Sequence, residues 1–491
     1  MNGPSERYDL VIIGLGAAGA AAARMAASLE LRVAVVERSS IESREARSGS
    51  IPLNALIESA RVAHTIAHAG DVGVHVADLA IDNGAVWSRV AALSSQSMAE
   101  SRDAVGLAAA GVDFFHGEAA VTGPHEVTVT IAPGHDSSAD SEGFALPTRF
   151  VLVCTGSRPR RPDISGLDDN TSLTTDTFWS LPSMPRSVVF IGGGSVSLEM
   201  AQALSRLGVG CTVLERERRV LIDEEPVLVD QLVSRLRADG VDIVTGVNIT
   251  RARRAGSLVE ITGSVDGVPR RWGGEVALIA AGRVPDIEQL GLGELGIVTG
   301  PHGVVVDERG RTSVRSIYAV GDAADPGAGP TLRSAQRSHV AAHQATRAVR
   351  DMFFPGRAPA DAFTSSVLFT DPELAHTGLT TAEAEALHGD GVDVWRCDLG
   401  PNHRNRAAAG PGGEVIIVAA RGRIVGAHVL SRGASELISE LALAIGLELK
   451  LADVAHVVHP SPTLSSAIGQ IATDSSFELA KKLNWLVRKA R

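Results

Sequence analysis

The 491-residue sequence predicts an α/β fold, with two doubly wound nucleotide-binding domains and a C-terminal α+β interface domain. Three observations lead to it. A strand–glycine turn–helix–strand unit opens the chain. A second copy of that unit follows at a constant offset. Two short segments, each a strand ending in a small-residue turn before Arg and Pro, mark crossings between the two copies.

The first unit reads "YDLVIIGLGAAGAAAARMAASLELRVAVVER". Its buried run predicts a strand over Leu10 to Ile13, an Ala-rich helix over Ala17 to Leu29 and a second strand over Arg32 to Val36. Gly14 makes the tight turn, Gly16 lets the backbone approach a pyrophosphate, and Gly19 lets helix pack on strand. The phosphates would sit at the helix N-terminus, where free N–H groups and the helix dipole attract anions. Glu37 closes the second strand and can accept hydrogen bonds from ribose hydroxyls; Arg38, next to it, joins the candidate cofactor-binding set.

The second unit reads "RSVVFIGGGSVSLEMAQALSRLGVGCTVLERE". Gly192, Gly194 and Ser197 fill the glycine positions and Glu215 the acid position, each 178 residues beyond its counterpart. Val196, Met200, Ala203, Leu204 and Leu207 form one face of the intervening helix, and Gly208 supplies its C-cap. One G-x-G-x-x-G is a weak signal. Two complete units at matched spacing are a strong one.

Two such units point to two dinucleotides, one a retained flavin and the other an exchangeable nicotinamide. The crossing segments are "RFVLVCTGSRPR", with Thr155 and Gly156, and "EVALIAAGRVPD", with Gly282. "SIYAVGDAADPG" is a buried strand ending at Gly321 and Asp322, where an Asp can bind the ribityl or phosphate region of FAD. A helix is expected from about Thr331, its positive end directed toward charge on a reduced flavin.

Composition excludes other classes. Net charge is -11 and aromatics are 4%, so a basic stacking platform for nucleic acid is not expected. The three cysteines, Cys154, Cys211 and Cys397, form no CxxC pair, which leaves disulfide and metal readings without support. Cys154 and Cys211 lie in apolar runs and read as buried. The fingerprint begins by Gly14, leaving no room for a signal peptide, and the Ala-rich helix, interrupted by Arg24, is too short to span a membrane. A cytoplasmic protein without membrane insertion is expected.

Together these residues resemble the class I pyridine nucleotide–disulfide oxidoreductases, which include dihydrolipoamide dehydrogenase, glutathione reductase, mercuric reductase and the soluble transhydrogenase. The resemblance covers nearly the whole chain; "FTSSVLFTDPELAHTGLTTAEAEA" and "HVVHPSPTLSSAIGQ" look like the dimerisation domain. It implies FAD in the first unit, NAD(P)H in the second, and a homodimer with active sites at the subunit interface. It also implies a domain division: FAD-binding residues 1–160 and 281–355, NAD(P)-binding residues 161–280, and interface residues 356–491.

The chain leaves the disulfide-reducing pattern G-G-T-C-x-N-x-G-C-x-P-S-K at its working positions. With Gly49 and Pro52 in register, the two redox Cys positions hold Glu45 and Ser50, the Lys position holds Asn54, and the Gly-Gly pair becomes Glu42 and Ser43. In the C-terminal H-P-T-L-S-E motif, the acid–base His position holds Ser461 and the Glu position Ser466. Disulfide exchange needs a thiolate and a nearby acid–base. Neither is expected here, so the chain resembles the thiol-free branch, including the soluble transhydrogenase and some quinone-reducing relatives.

The resemblance assigns Glu199 to the acid that pairs with the family Lys. Opposite Asn54 that ion pair becomes at best a hydrogen bond, and the lost cation disfavours reduced flavin. Glu199 could shuttle a proton or serve structure alone. Ser195 stands where many relatives carry a gating Tyr. His459, two residues before the lost acid–base His, could reach the partner's flavin pocket or be structural. Ser50 reads as a hydrogen-bonding wall residue, since no base is evident beside it. Glu215 favours NADH, although Arg216 and Arg218 could receive a 2′-phosphate.

The expected activity is an FAD-dependent NAD(P)H oxidoreductase that uses no disulfide and passes electrons to a small-molecule acceptor, either quinone-like or a second nicotinamide. Two alternatives stand beside it. One is a flavin enzyme with a dedicated organic substrate, its pocket lined by residues 45–54. The other is a catalytically silent dimer, against which both retained fingerprints weigh.

Overall fold

A computed structural model describes residues 7–38, 49–100, 103–131, 143–327, 337–356 and 364–482. Glu42, Ser43 and Glu45 lie outside them, as does the expected helix start at Thr331.

Strand Tyr8–Ile13 is the centre of the first sheet. It pairs in parallel with Val33–Glu37 on one side and Phe144–Val153 on the other, with Leu10 opposite Val33 and Phe150. Its apolar residues are almost fully buried. That is the composition of a parallel strand covered on both faces. Strand Asp113–His116 extends the sheet beyond Val33–Glu37, and Ile317–Ala319 adds on the far side of Phe144–Val153. Helix Ala17–Ser28 presents Ala18, Ala22 and Ala26 to the sheet and to Ala345, Ala348 and Val349 of helix Ser338–Phe353. Alanine lets these two helices approach closely over the strand ends. The second strand begins one residue later than expected and ends on Glu37 itself.

The second sheet repeats the arrangement. Its parallel order is Asp242–Val244, Gly210–Leu214, Ser187–Ile191, Val276–Ile279, Leu173–Thr174. Helix Ser195–Arg206 follows the central strand and stops where Gly208 takes φ +88, a left-handed conformation that glycine adopts without strain. An antiparallel meander, Val247–Ala255, Leu258–Val265 and Val268–Gly274, covers one face.

The expected crossings have a shared structure. Ser157–Pro159 and Arg283–Pro285 lie side by side as a two-stranded antiparallel pair, with Val284 opposite Arg158. The chain leaves the first sheet and returns to it through adjacent strands.

The C-terminal part is α+β. Five antiparallel strands run in the order Ser365–Leu368, Glu373–Gly378, Arg423–Ser431, Glu414–Ala420, Val392–Asp398. Alternation divides their faces. Ala375, Ile417 and Val429 pack on helices Ala434–Gly446 and Ser466–Lys482, while Leu374, Ile416 and Leu430 join a core with Leu198, Leu204, Leu53 and Leu56. That second core binds the C-terminal sheet to helices Ser195–Arg206 and Ser50–Ala67. A buried polar tie runs beside it: Arg206 pairs with Asp239 at 3.0 Å and Asp371 at 2.9 Å. Gln202 donates to Asp371 O at 2.8 Å and accepts from Asp371 N at 2.8 Å.

Cys154 and Cys211 are buried and free, as expected, and burial pushes the Cys211 thiol up to about 12. Among the described residues no helix is long and apolar enough to cross a membrane.

Candidate functional site

Both glycine turns are built alike. Gly14 and Gly192 have φ +97 and +109, and a Cβ on either would stand 2.6 Å from Cys154 O or 2.5 Å from Ala280 O. Only glycine allows a strand to turn so close to its neighbour. Gly16 and Gly194 have open space where a Cβ would be, and each N-caps its helix with no side-chain hydrogen bond. The leading amides of both helices therefore face open space, the arrangement that takes up a pyrophosphate. Of the three glycine positions, the turns differ at the third. A Cβ on Gly19 would collide with Gly14 O, whereas the second unit carries Ser197 there, its hydroxyl buried without a hydrogen-bond partner among the described residues.

The two acids fold back onto their own turns. Leu15 N donates to Glu37 Oε2 at 2.7 Å, and Gly193 N donates to Glu215 Oε2 at 2.6 Å. Glu215 Oε1 also accepts Glu217 N at 2.7 Å. Each carboxylate is thus fixed at the strand end by its backbone, with lone pairs left over for ribose hydroxyls. Arg216 turns onto Glu217, Nη2 to Oε1 at 2.9 Å, and is 83% exposed. Arg38 pairs with Asp286 at 2.7 Å, which ties the first acid's neighbour to the second crossing.

Asp322 sits at the end of a hydrogen-bonded chain. Arg283 Nε donates to Ser157 Oγ at 2.8 Å, and Ser157 Oγ donates to Asp322 Oδ2 at 2.6 Å. Arg283 Nη2 also donates to Ser157 O at 2.8 Å. The paired crossings therefore orient Asp322. Sequence reasoning singled out Asp322 and missed Ser157 and Arg283, although the repeated small-residue–Arg–Pro pattern was the available signal. Gly321 has φ +65, and its N–H donates to Gln344 Oε1 at 2.9 Å, locking this turn to helix Ser338–Phe353.

These residues fit FAD in the first unit. Thr155 Oγ1 is buried with no hydrogen-bond partner among the described residues, next to Gly156, whose Cβ direction is open. Gly282, the matching turn of the second unit, is equally open. An unpartnered buried hydroxyl beside an open glycine turn is what a bound polar group satisfies.

Gly49 N-caps Ser50–Ala67, so Ser50 is its first residue. Asn54 Nδ2 donates to Ser50 O at 2.8 Å, back within its own helix. Glu199 is bound elsewhere: its Oε1 accepts Phe369 N at 2.7 Å. Burial raises its carboxyl to about 7, opposed by the Phe369 N–H and the charge of Arg337. Glu199 is therefore a buried acid poised to change protonation near neutral pH.

His459 lies elsewhere. Its Nε2 stands 2.9 Å from Glu440 Oε1 and its Nδ1 3.1 Å from Val457 O, with the ring against Gly469 and only 6% of the side chain exposed. Within one chain the ring is turned inward, onto helices Ala434–Gly446 and Ser466–Lys482. Ser461 is exposed, and Ser466 bonds locally to Thr463. Among the described residues of one chain, no hydrogen bond or ion pair joins these residues to Glu199 or Asn54.

Two matched dinucleotide cradles, one fitting FAD, with a buried acid between helix Ser195–Arg206 and the C-terminal sheet, define a flavin- and pyridine-nucleotide-dependent oxidoreductase. The chain belongs to the pyridine nucleotide-disulphide oxidoreductase family, whose profile matches residues 8–347 and whose dimerisation-domain profile matches residues 364–472. It is 30% identical over 478 residues to the dihydrolipoyl dehydrogenase of Bacillus subtilis (strain 168), covering 95% of this chain and 98% of the relative. It is 28% identical over 471 residues to a glutathione reductase of Burkholderia cepacia, covering 93% and 97%. Among solved structures, the Cu(II) complex of the HOCl-induced flavoprotein disulfide reductase RclA from Escherichia coli has the same fold. It superposes with a TM-score of 0.79 at 21% identity, over 95% of this chain and 99% of that one.

Proposed function

We propose that this protein is an FAD-dependent NAD(P)H oxidoreductase that works without a redox disulfide, oxidising NADH in preference to NADPH and delivering two electrons to a quinone-like or nicotinamide acceptor. The observation that carries this is the pair of intact cradles beside a helix that opens on Ser50 where a thiol would be needed. The relatives are named for dihydrolipoyl and glutathione chemistry. This chain has three cysteines, the first at position 154, and Cys154 is buried with its thiol pushed far up by desolvation. A buried neutral thiol is a poor nucleophile.

FAD, when bound, supplies the two-electron chemistry. The chain supplies the rest. The Gly16 and Gly194 cradles bind the two pyrophosphates, and Glu37 and Glu215 fix the riboses. Arg283 and Ser157 orient Asp322 toward the first dinucleotide. Asn54 and Ser50 wall the reacting edge without charge. Glu199 holds or releases a proton near neutral pH. Glu215, fixed by two backbone amides, and Glu217, which occupies Arg216, together favour a free 2′-hydroxyl over a 2′-phosphate. The two sheets and the paired crossings support a division into residues 1–160 with 281–355 for FAD, 161–280 for the nicotinamide and 356–491 for a homodimer interface. The dimerisation-domain match supports the last of these.

The test is an anaerobic visible spectrum of the purified protein before and after NADH, then NADPH. Bleaching of the oxidised-flavin band near ~450 nm by NADH, with no thiolate–flavin band at longer wavelength, is expected. A flavin that neither nucleotide bleaches would overturn the reading.

A further inference from the structure

Helix Ser338–Phe353 begins at Arg337, its N-cap residue. A cation there faces the positive end of the helix dipole, the unfavourable end. Arg337 is also largely removed from water, and burial weakens its hold on its proton. Its guanidinium donates Nη1 to Val367 O at 2.9 Å and Nη2 to Ser366 Oγ. Neither acceptor is charged. The opposing charge comes from two buried carboxylates, Glu199 and Glu224.

Glu199 is linked to Arg337 by more than its field. It accepts the N–H of Phe369, while Arg337 holds Ser366 and Val367. Both side chains grip one segment, Ser366 to Phe369, at the edge of the C-terminal sheet: Arg337 by the Ser366 hydroxyl and the Val367 carbonyl, Glu199 by the Phe369 amide. Glu224, the other acid, is taken up with His376, whose Nδ1 stands 2.9 and 2.7 Å from its two oxygens. The remaining charges around Glu199 are engaged with one another. Arg206 pairs with Asp371 and Asp239, Arg61 faces Glu373, and His64 faces Asp239. Asn54 brings no charge.

We propose that Arg337 is the positioning cation of Glu199, acting through the segment they share: by holding Ser366 and Val367 it presents the Phe369 amide to the Glu199 carboxylate. The functional meaning rests on the oxidoreductase reading above, but the test does not. It is a double-mutant cycle in the full-length protein, with R337M, E199Q and the double variant compared by urea unfolding. Beside it, infrared difference spectra against E199Q follow protonation of the Glu199 carboxyl.

Loss of an opposing charge raises a carboxyl, so R337M should move the Glu199 midpoint upward by about one unit, a tenfold gain in proton affinity. R337K should restore most of it. In the E199Q background, R337M should cost roughly half the stability it costs in the wild type, because the two residues share the interaction. An unmoved midpoint with additive stabilities would overturn the proposal. If R337M does not fold, recovery of folded protein in R337M/E199Q supports it, and failure of both overturns it in favour of a service to Glu224 alone. A flavin that NADH does not bleach would remove the activity and leave this coupling standing.

Discussion

Glu37 and Glu215 make the same hydrogen bond 178 residues apart: each carboxylate accepts the backbone N–H that follows its own first glycine, at 2.7 and 2.6 Å. The repeat is therefore one of geometry as well as of letters. It makes the glycines separable by experiment. Gly14→Ala meets Cys154 O at a left-handed φ, so it should destabilise the fold by about 2 kcal/mol or more. Gly16→Ala meets nothing within 4 Å and should leave the melting temperature of the apoprotein unchanged while weakening FAD about tenfold or more. Melting curves and flavin content per chain check both. Equal loss of stability in the two variants would refute the distinction.

Glu199 gives a pH dependence with a definite sign. Its carboxyl is raised in the folded chain from 4.5 to about 7, so the folded state binds more protons than the unfolded state between those values. The stability associated with protonated Glu199 is present at low pH and lost as pH rises through about 7. Glu199→Gln should flatten this slope by on the order of 3 kcal/mol between the two limits. The difference in urea-unfolding free energy between wild type and variant, taken across pH, is the measurement.

Arg206 is only 7% exposed and serves two carboxylates on different parts of the chain. Arg206→Ala leaves Asp239 and Asp371 buried without it and should cost about 3–5 kcal/mol. Asp371→Asn, which keeps a hydrogen-bonding group there, should cost less. Chemical denaturation ranks the two.

Thiol chemistry should be nearly silent. Of the three cysteines, two are buried, and Cys397 is half-buried, with that burial first and the acids beside it second in raising its thiol. A thiol reagent should titrate at most one group in the native protein and all three after unfolding. Reduction of lipoamide or glutathione disulfide by NADH should be absent. A fast-reacting pair of thiols would reverse the disulfide-free reading.

Releasing Arg216 should change nucleotide preference. Its guanidinium is bonded to Glu217 at the edge of the second cradle. Glu217→Ala should improve NADPH relative to NADH by about tenfold or less, since one exposed charge pair is worth little. Half-saturation of flavin bleaching by each nucleotide reads this out.

The glycine turns, the acids and the crossings were legible because their signals are local. A turn at Gly14 and the Glu37 carboxylate that accepts its next amide lie within one supersecondary unit, and the spacing carries the geometry. The partners of Glu199 were not legible. Its position pointed to Asn54, four residues into the helix that starts at Ser50, yet Asn54 turns back to Ser50 O and Glu199 binds an amide 170 residues away. Nothing near 199 announces Phe369, or Arg337 beside it. For His459 too the neighbours were not legible: within one chain its ring packs against Gly469 and stands by Glu440, ten and nineteen residues away in sequence.

The paired strands Ser157–Pro159 and Arg283–Pro285 bear on how such a chain came to be assembled. Everything between them enters and leaves through two points already joined by hydrogen bonds. Closing a loop whose ends touch costs the host sheet little entropy, however long the excursion. The second unit is thus joined to the first at one seam. A duplicated copy could have been spliced into its own parent there without re-threading either sheet, and the two would then diverge in ligand while keeping a common joint.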